Sequence, residues 1–374
     1  MRFDAFATLQ RGFDLPLASR RVGTIPVLGS NGIVGWHDTV GVRGPGVVTG
    51  RSGSIGDSTF VDTDYWPLNT ALYVSNFHGN FPRFVHYFLQ WFDLARFKGG
   101  VSVPTLNRNM VHGSEVTVPK GWEQQKIAAV LWKMQRAIAT QDRLIATNRD
   151  LKQSAMQHLF THGLHGEPLK DTEIGPMPES WSPAPVASCV APYRFDRSSQ
   201  LLASAYRKQG KWPVVDQGQD EIAGYTDDEN KVQRPGFALI IFGDHSRTLK
   251  YVDYPFVFGA DGTKPFVASD GIDTVFLFQA LRHLNIPSKG YSRHYRSLSE
   301  SLIARPSNLD EQRDIAAALA TIDRKLAHHQ KKCAALNDLF QTTLHQLMTA
   351  QIRVADLDID TSEVATPQPQ GVAA

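Results

Sequence analysis

The sequence predicts an α+β protein of two similar lobes, held on an antiparallel pair of long coiled-coil helices and related by a pseudo-two-fold internal repeat. Three observations carry this expectation. EQQKIAAVLWKMQRAIA (Glu123 to Ala139) aligns without a gap on EQRDIAAALATIDRKLA (Glu311 to Ala327), and after the same interval QHLFT (Gln157 to Thr161) aligns on HQLMT (His345 to Thr349). Ahead of each helical run lies a stretch of short strands and glycine turns: IPVLGSNGIVGWHD from Ile25 and GPGVVTGRSGSIGDSTFVDTDYWP from Gly44 in the first half, WPVVDQGQDEIAGYTDD from Trp212 and RPGFALIIFGDHSRTLKYVDYPF from Arg234 in the second. Within the helical runs, apolar residues recur at alternating four- and three-residue spacing, the seam of a coiled coil.

The elements follow in chain order. Residues 1–119 read as strands and turns with one helix around Phe81 to Phe97, whose aromatics fall at helical spacing and form a core. From Glu123, Gly and Pro vanish until Gly163, and Ile127, Leu131, Met134, Ile138 and Ile145 form the stripe of a first rod over residues 120–162. Residues 163–306 hold a Gly/Pro-rich linker and the second lobe. Ile315, Leu319, Ile322, Leu326, Cys333, Leu336, Phe340 and Leu347 mark a second rod over 307–350, and the acidic, then Pro/Gln/Gly/Ala-rich stretch 351–374 reads as a disordered tail. Each rod of roughly 38 residues would extend about 55 to 60 Å. Because the second lobe is entered from the end of rod one and left through the start of rod two, those ends must lie close, which makes the pairing antiparallel.

Composition narrows the function. The chain has 374 residues, 42% hydrophobic and 20% charged, with a formal net charge of +2. No run approaches the ~20 apolar residues of a membrane span, and MRFDAFATLQ lacks the apolar centre of a signal peptide, so a cytoplasmic protein with no membrane partner is expected. Cys189 and Cys333 are the only cysteines, which excludes a disulfide framework. A non-specific nucleic-acid binder would carry a basic excess; with +2, any such role must come from local placement of charge. Two similar readers on a stiff spacer suit a duplex with two half-sites one or more turns apart, ~34 to 36 Å per turn.

GSNGIVGWHD, GPGVVTGRSGSIG, DYWPLNTALYV, VPTLNRNMV and EQQKIAAVL in the first half, with YSRHY and LDEQRDIAAALATIDRKL in the second, make the chain resemble the DNA-specificity (S) subunits of type I restriction-modification systems across nearly its whole length. The resemblance implies two target-recognition domains on double-stranded DNA. It implies assembly with two adenine-N6 methyltransferase (M) subunits carrying S-adenosylmethionine, and with motor-nuclease (R) subunits using ATP and Mg2+. It also implies that this chain is not itself an enzyme. Family chains often begin with an extra strand ahead of the LQRGFDLP-like segment, which here starts at Leu9, so the amino-terminal edge of the first lobe stays open.

Base reading in the major groove needs side chains with paired donors or acceptors on loops that can enter it. Ser30, Asn31, Arg51, Ser52 and Ser54 in the first half, and Gln217, Gln219, His245, Ser246 and Arg247 in the second, are so placed, unless they are merely solvated neighbours of turn glycines. Asn107 and Arg108 align with Ser292 and Arg293 just ahead of each rod, where the resemblance places DNA; an arginine there contacts phosphate or base, or else pins lobe to rod. Lys98, Lys289, Tyr291, Tyr295 and Arg296 are further candidates for backbone contact. On the rods, Lys126, Lys133, Asp314 and Arg324, with the small residues Ala128, Ala129, Ala316 and Ala317, are candidates for docking the M subunits. His158, His162 and His165 have zinc-like spacing but lack further ligands, so solvated histidines are expected. The GK[ST] ending of a phosphate loop and the Asp/Asn-Pro-Pro-aromatic methyltransferase motif are absent. A competing reading is a protein-binding scaffold whose lobes grip polypeptide or glycan, favoured by the near-neutral charge.

Overall fold

The structure, a computed structural model, describes residues 1–99, 104–284, 286–287, 290 and 292–364. It divides into two compact units, Met1–Arg143 with Gln330–Ala374, and Leu144–His329.

Unit one starts with α1 (Phe3–Phe6) and β1 (Thr8–Arg11), then β2 (Ile25–Gly29), β3 (Gly32–His37), β4 (Gly46–Gly50), β5 (Ser58–Val61), β6 (Trp66–Pro67) and β7 (Ala71–Asn76). After α2 (Pro82–Trp91) come β8 (Lys98–Gly99), β9 (Thr105–Leu106), α3 (Arg108–His112) and the long α4 (Gly121–His162). One sheet has the order β1-β7-β4-β5 and is antiparallel; a second, β3-β2-β6, pairs β2 with β6 in parallel. Strand β4 is buried along its whole length. Its Val47 faces the α2 core and Val48 faces Leu28 and Tyr65, the period-two alternation of a strand covered on both faces. As expected from their spacing, Phe84, Tyr87 and Phe88 of α2 are core, joined by Ile127 and Leu131 of α4.

His86 lies in the same helix, bonded to Ser58 Oγ, and burial, aided by Arg83, pushes its imidazole down to about 3. The unfolded chain binds a proton there below 6.5, whereas the folded chain does not until about 3. The neutral ring therefore stabilises fully above 6.5, and stability falls by about 1.4 kcal/mol per pH unit on acidification through that window. Denaturation of His86→Leu at pH 7 and pH 5 is expected to show a smaller loss than wild type, by about 2 kcal/mol.

Unit two holds β10 (Leu169–Thr172), β11 (Gly175–Pro178), β12 (Ser182–Pro185), α5 (Val186–Cys189), β13 (Val190–Pro192), β14 (Trp212–Val215), β15 (Gly224–Thr226) and β16 (Val232–Gln233). These are followed by β17 (Leu239–Gly243), β18 (Leu249–Val252), β19 (Phe256–Phe258), β20 (Thr263–Ala268), α6 (Thr274–His283), α7 (Tyr295–Glu300), β21 (Leu302–Arg305) and the long α8 (Leu309–Met348). The sheet orders are β13-β20-β17-β18 and β15-β14-β19-β16, with β14 and β19 parallel. Strand β17 takes the role of β4: it is buried throughout, with Ile240 and Phe242 on one core and Leu239 and Ile241 on the other.

Within each unit, segments of α4 and α8 run antiparallel. In unit one the buried Glu123 carboxylate accepts from Arg353, and further along α4 Cys333 Sγ donates to Asp142. In unit two Lys152 Nζ donates to Asp323 at 2.6 and 2.8 Å, and beyond it Leu164 N donates to Glu311. Lys152 is only 8% exposed and Asp323 32%, with Gln279 donating to the same carboxylate. Removing the carboxylate strands a buried ammonium; Asp323→Ala is expected to cost about 2 to 3 kcal/mol in denaturation, below the fully buried limit because Asp323 is partly hydrated.

Composition suggested that residues 351–374 are disordered, and for 351–364 the structure differs. Lys126 Nζ holds the carbonyls of Ala355 and Leu357, and Val354 and Val364 are buried. The expectation for 365–374 lies outside the described residues.

Candidate nucleic-acid interface

In unit one, three chain segments converge beside β4. Gly50 ends that strand where any side chain would meet the Ser54 carbonyl and Ser30, so the loop 51–56 folds onto the turn between β2 and β3, which carries the exposed Asn31. Leu106 N donates to the Arg51 carbonyl, and Ser52 bridges Thr105, which ties the loop to the segment leading into α3. The third segment is the end of β1, fixed on β7 by the pair Arg11 and Leu72. Together they line a cavity of about 560 Å³ bounded by Arg11, Arg51, Gly99, Asn107, Arg108 and Asn109. Arg51 is steadied by a 3.2 Å bond to the Asn69 carbonyl, and Asn107 caps α3 through Asn109 N.

Unit two builds a cavity of about 300 Å³ at the corresponding place, past β13, after β17 and just ahead of α7, lined by Arg197, Asp244, His245, Asp261, Lys264 and Arg293. Buried Asp244 holds this site together: its Oδ1 accepts from Tyr295 N, its carbonyl accepts from His294 N, and Lys264 lies 4.0 Å from Oδ2. The first cavity thus presents donors only in its charged groups, the second both signs.

The expected residues separate into groups. Arg51 and Arg108 in the first cavity, and His245 and Arg293 in the second, are brought together. Arg108 and Arg293 are exposed and carry no hydrogen bond or ion pair among the described residues. Lys98 is exposed on β8 beside the first cavity, and Ser52 and Ser54 lie on its flanking loop. Gln219 is exposed, but Gln217 is turned inward, donating to the Asp261 carbonyl and accepting from His245 N, and any side chain at Gly262 would strike it. Ser246 is bonded to Thr248, and Arg247, at φ +62°, to the Ile286 carbonyl. These three shape the loop. Tyr295 packs on Phe242 and Phe266, and Arg296 is engaged with Glu300. Lys289 and Tyr291 lie outside the described residues.

Several rod candidates are corrected. Ala128, Ala129 and Ala316 are buried in the lobe cores, and Lys126 is engaged by the chain's own segment 355–357. Small residues serve close packing within a lobe as readily as docking of a partner. Lys133, Asp314, Ala317 and Arg324 remain exposed. His158 and His162 stack on one another, and among the described residues no group of three or more His, Cys, Asp or Glu is arranged to hold a metal.

Sequence reasoning missed Arg11, Arg197, Asp244, Asp261 and Lys264. The signal available was positional: Arg11 ends β1 and Arg197 follows β13, the strands at the same place in the two sheet orders, a correspondence visible only once the strands are aligned.

No family model matches the chain. Two curated relatives from Methanocaldococcus jannaschii do: a putative type I restriction enzyme MjaX specificity subunit, 22% identical over 271 residues, and the type I restriction enzyme MjaVIII specificity subunit, 23% identical over 288. Each match covers 69% of this chain, and the chain spans 64% and 67% of the relatives' lengths. Among solved structures, the type I restriction-modification S subunit from M. genitalium superposes with a TM-score of 0.67 over 92% of this chain and 94% of that one, at 16% identity. A chain from a type I restriction-modification assembly structure reaches 0.50 over 93% and 96%, also at 16%. The class is therefore a mixed α/β protein with the fold of the type I S subunits. The resemblance carried by the glycine loops and the EQxxIAxxL motifs holds, since the curated relatives are specificity subunits of that same type of system. Among the described residues no helix is long and apolar enough to cross a membrane.

Proposed function

We propose that the chain is the non-catalytic DNA-specificity subunit of a type I restriction-modification complex. Each lobe reads one half of an asymmetric bipartite site, and the α4–α8 pair sets the unread spacer. Two M subunits dock on the rods through exposed positions such as Lys133, Asp314, Ala317 and Arg324 and methylate adenine N6; S-adenosylmethionine belongs to them, and ATP and Mg2+ to the R subunits.

One observation supports this reading above the others. Two units of like strand order each build a polar, arginine-bearing cavity at the same point of the fold, and the two cavities differ in charge. Equivalent placement suits two half-sites, and different chemistry suits two different sequences. The near-neutral total is no obstacle, because charge can be placed locally, as where Arg11, Arg51 and Arg108 line the first cavity. Co-expression with a type I adenine methyltransferase, followed by mapping of N6-methyladenine in the host DNA, is expected to give one split motif with a modified adenine in each half. Methylation without sequence preference defeats the reading.

A further inference from the structure

We propose that the Arg11–Arg51–Arg108 cavity is the subsite of the first lobe that takes a paired-acceptor group of DNA, and that Arg11 is a recognition residue of that half-site. This inference rests on the DNA-reading function and names the chemistry of one of its contacts.

Three arginines line one cavity of about 560 Å³, with no carboxylate among its described lining residues. Like charges brought together repel, and no described lining residue offsets them with a negative charge; a bound group with acceptor atoms does. The contrast with unit two is direct, since there the cations share their cavity with Asp244 and Asp261. Arg11 is exposed and, like Arg108, is free of hydrogen bonds and ion pairs among the described residues, while Arg51 is already oriented by Asn69. Its backbone is nevertheless fixed. Arg11 ends a paired strand, and at Gly12 a side chain would collide with the Pro67 and Leu68 carbonyls, so the chain turns there against β6 and β7. An unengaged arginine on a fixed backbone, sharing a cavity with two other arginines, is the arrangement of a clamp. A guanidinium fork matches two adjacent acceptors, and DNA offers these in two places: O6 and N7 of guanine, and the non-bridging oxygens of a phosphate. Asn107 and Asn109 on the rim add neutral donors and acceptors.

The test uses the full chain carrying Arg11→Ala, in complex with the methyltransferase, against wild type. The Arg11 side chain is exposed and makes no hydrogen bond or ion pair among the described residues, and alanine keeps the backbone pairing, so folding is not at risk. Two measurements are made: the methylated motif, and the affinity for a duplex bearing that motif as a function of salt. If guanine is read, one position of one half-site relaxes, with roughly tenfold to a hundredfold less discrimination there, and the other half is unchanged. If phosphate is held, the letters stay, affinity drops uniformly, and the slope of log affinity against log salt falls by about 0.9. Either result supports the subsite and identifies its source. An Arg11→Ala complex with wild-type motif, affinity and salt slope overturns it while leaving the DNA-reading function intact. A wild-type complex that shows no motif overturns the function itself, and the subsite with it.

Discussion

A seven-residue block inserted after Asp142 in α4, with a matching block before Cys333 in α8, is expected to lengthen the unread spacer of the methylated motif and leave its letters unchanged. Cys333 Sγ donates to Asp142 at this level, so the two insertions face each other within one unit. A heptad keeps the phase of the buried stripe, which includes Ile127, Leu131 and Ile145 on α4 and Phe340, Leu344 and Leu347 on α8. Seven residues at ~1.5 Å add about 10 Å, which corresponds to about three base pairs. The letters depend on lobe loops that the insertion does not touch. Mapping N6-methyladenine in cells expressing the lengthened chain reads both quantities at once, and altered letters with an unchanged spacer contradict the role given to the helices.

The second large effect concerns stability. Gln312→Leu is expected to destabilise unit two by about 3 kcal/mol, because three backbone partners lose their bonds in a dry setting. The Gln312 side chain is fully buried; its Oε1 accepts from Asp273 N and its Nε2 donates to the carbonyls of Gly271 and Pro306. It thereby joins the entry to α6, the end of β21 and the first turn of α8. Gln124 makes the same joint in unit one, accepting from Phe81 N and donating to Asn80 Oδ1 and the Pro119 carbonyl, so Gln124→Leu is expected to weaken that unit by a similar amount. The preceding glutamates act beside them: Glu123 accepts two bonds from Arg353, and Glu311 accepts from Trp181 Nε1. Chemical denaturation of each variant measures the cost, and a loss below about 1 kcal/mol in both contradicts the joint.

These joints explain what the sequence showed and what it concealed. The twin EQ motif is visible because it recurs. The Glu and Gln side chains are buried, fastening each lobe to its own helix, and Ala128, Ala129 and Ala316 pack into the same cores. The rods were legible because a stripe such as Ile315, Leu319 and Ile322 has a period set by helix geometry alone. Strands β4 and β17 were legible as apolar runs between glycine turns, being covered on both faces. The cavities were only half legible. Arg108 and Arg293 stand out by alignment, whereas Arg11 and Lys264 reach their sites through strand pairing, a long-range property that no local pattern encodes. The segment after α8 was misjudged for a related reason: its composition is polar and acidic, and nothing local shows that Arg353 completes a buried carboxylate or that Val354 and Val364 enter a core.

Paired substitutions decide whether two lobes read two halves of one site. Arg108→Ala and Arg293→Ala are made separately in the full chain, and the motif methylated by each complex is mapped. Each substitution is expected to weaken or relax recognition in one half only, and the affected halves are opposite. Substitutions that act on the same half, or that each disturb both halves equally, contradict the two-lobe reading.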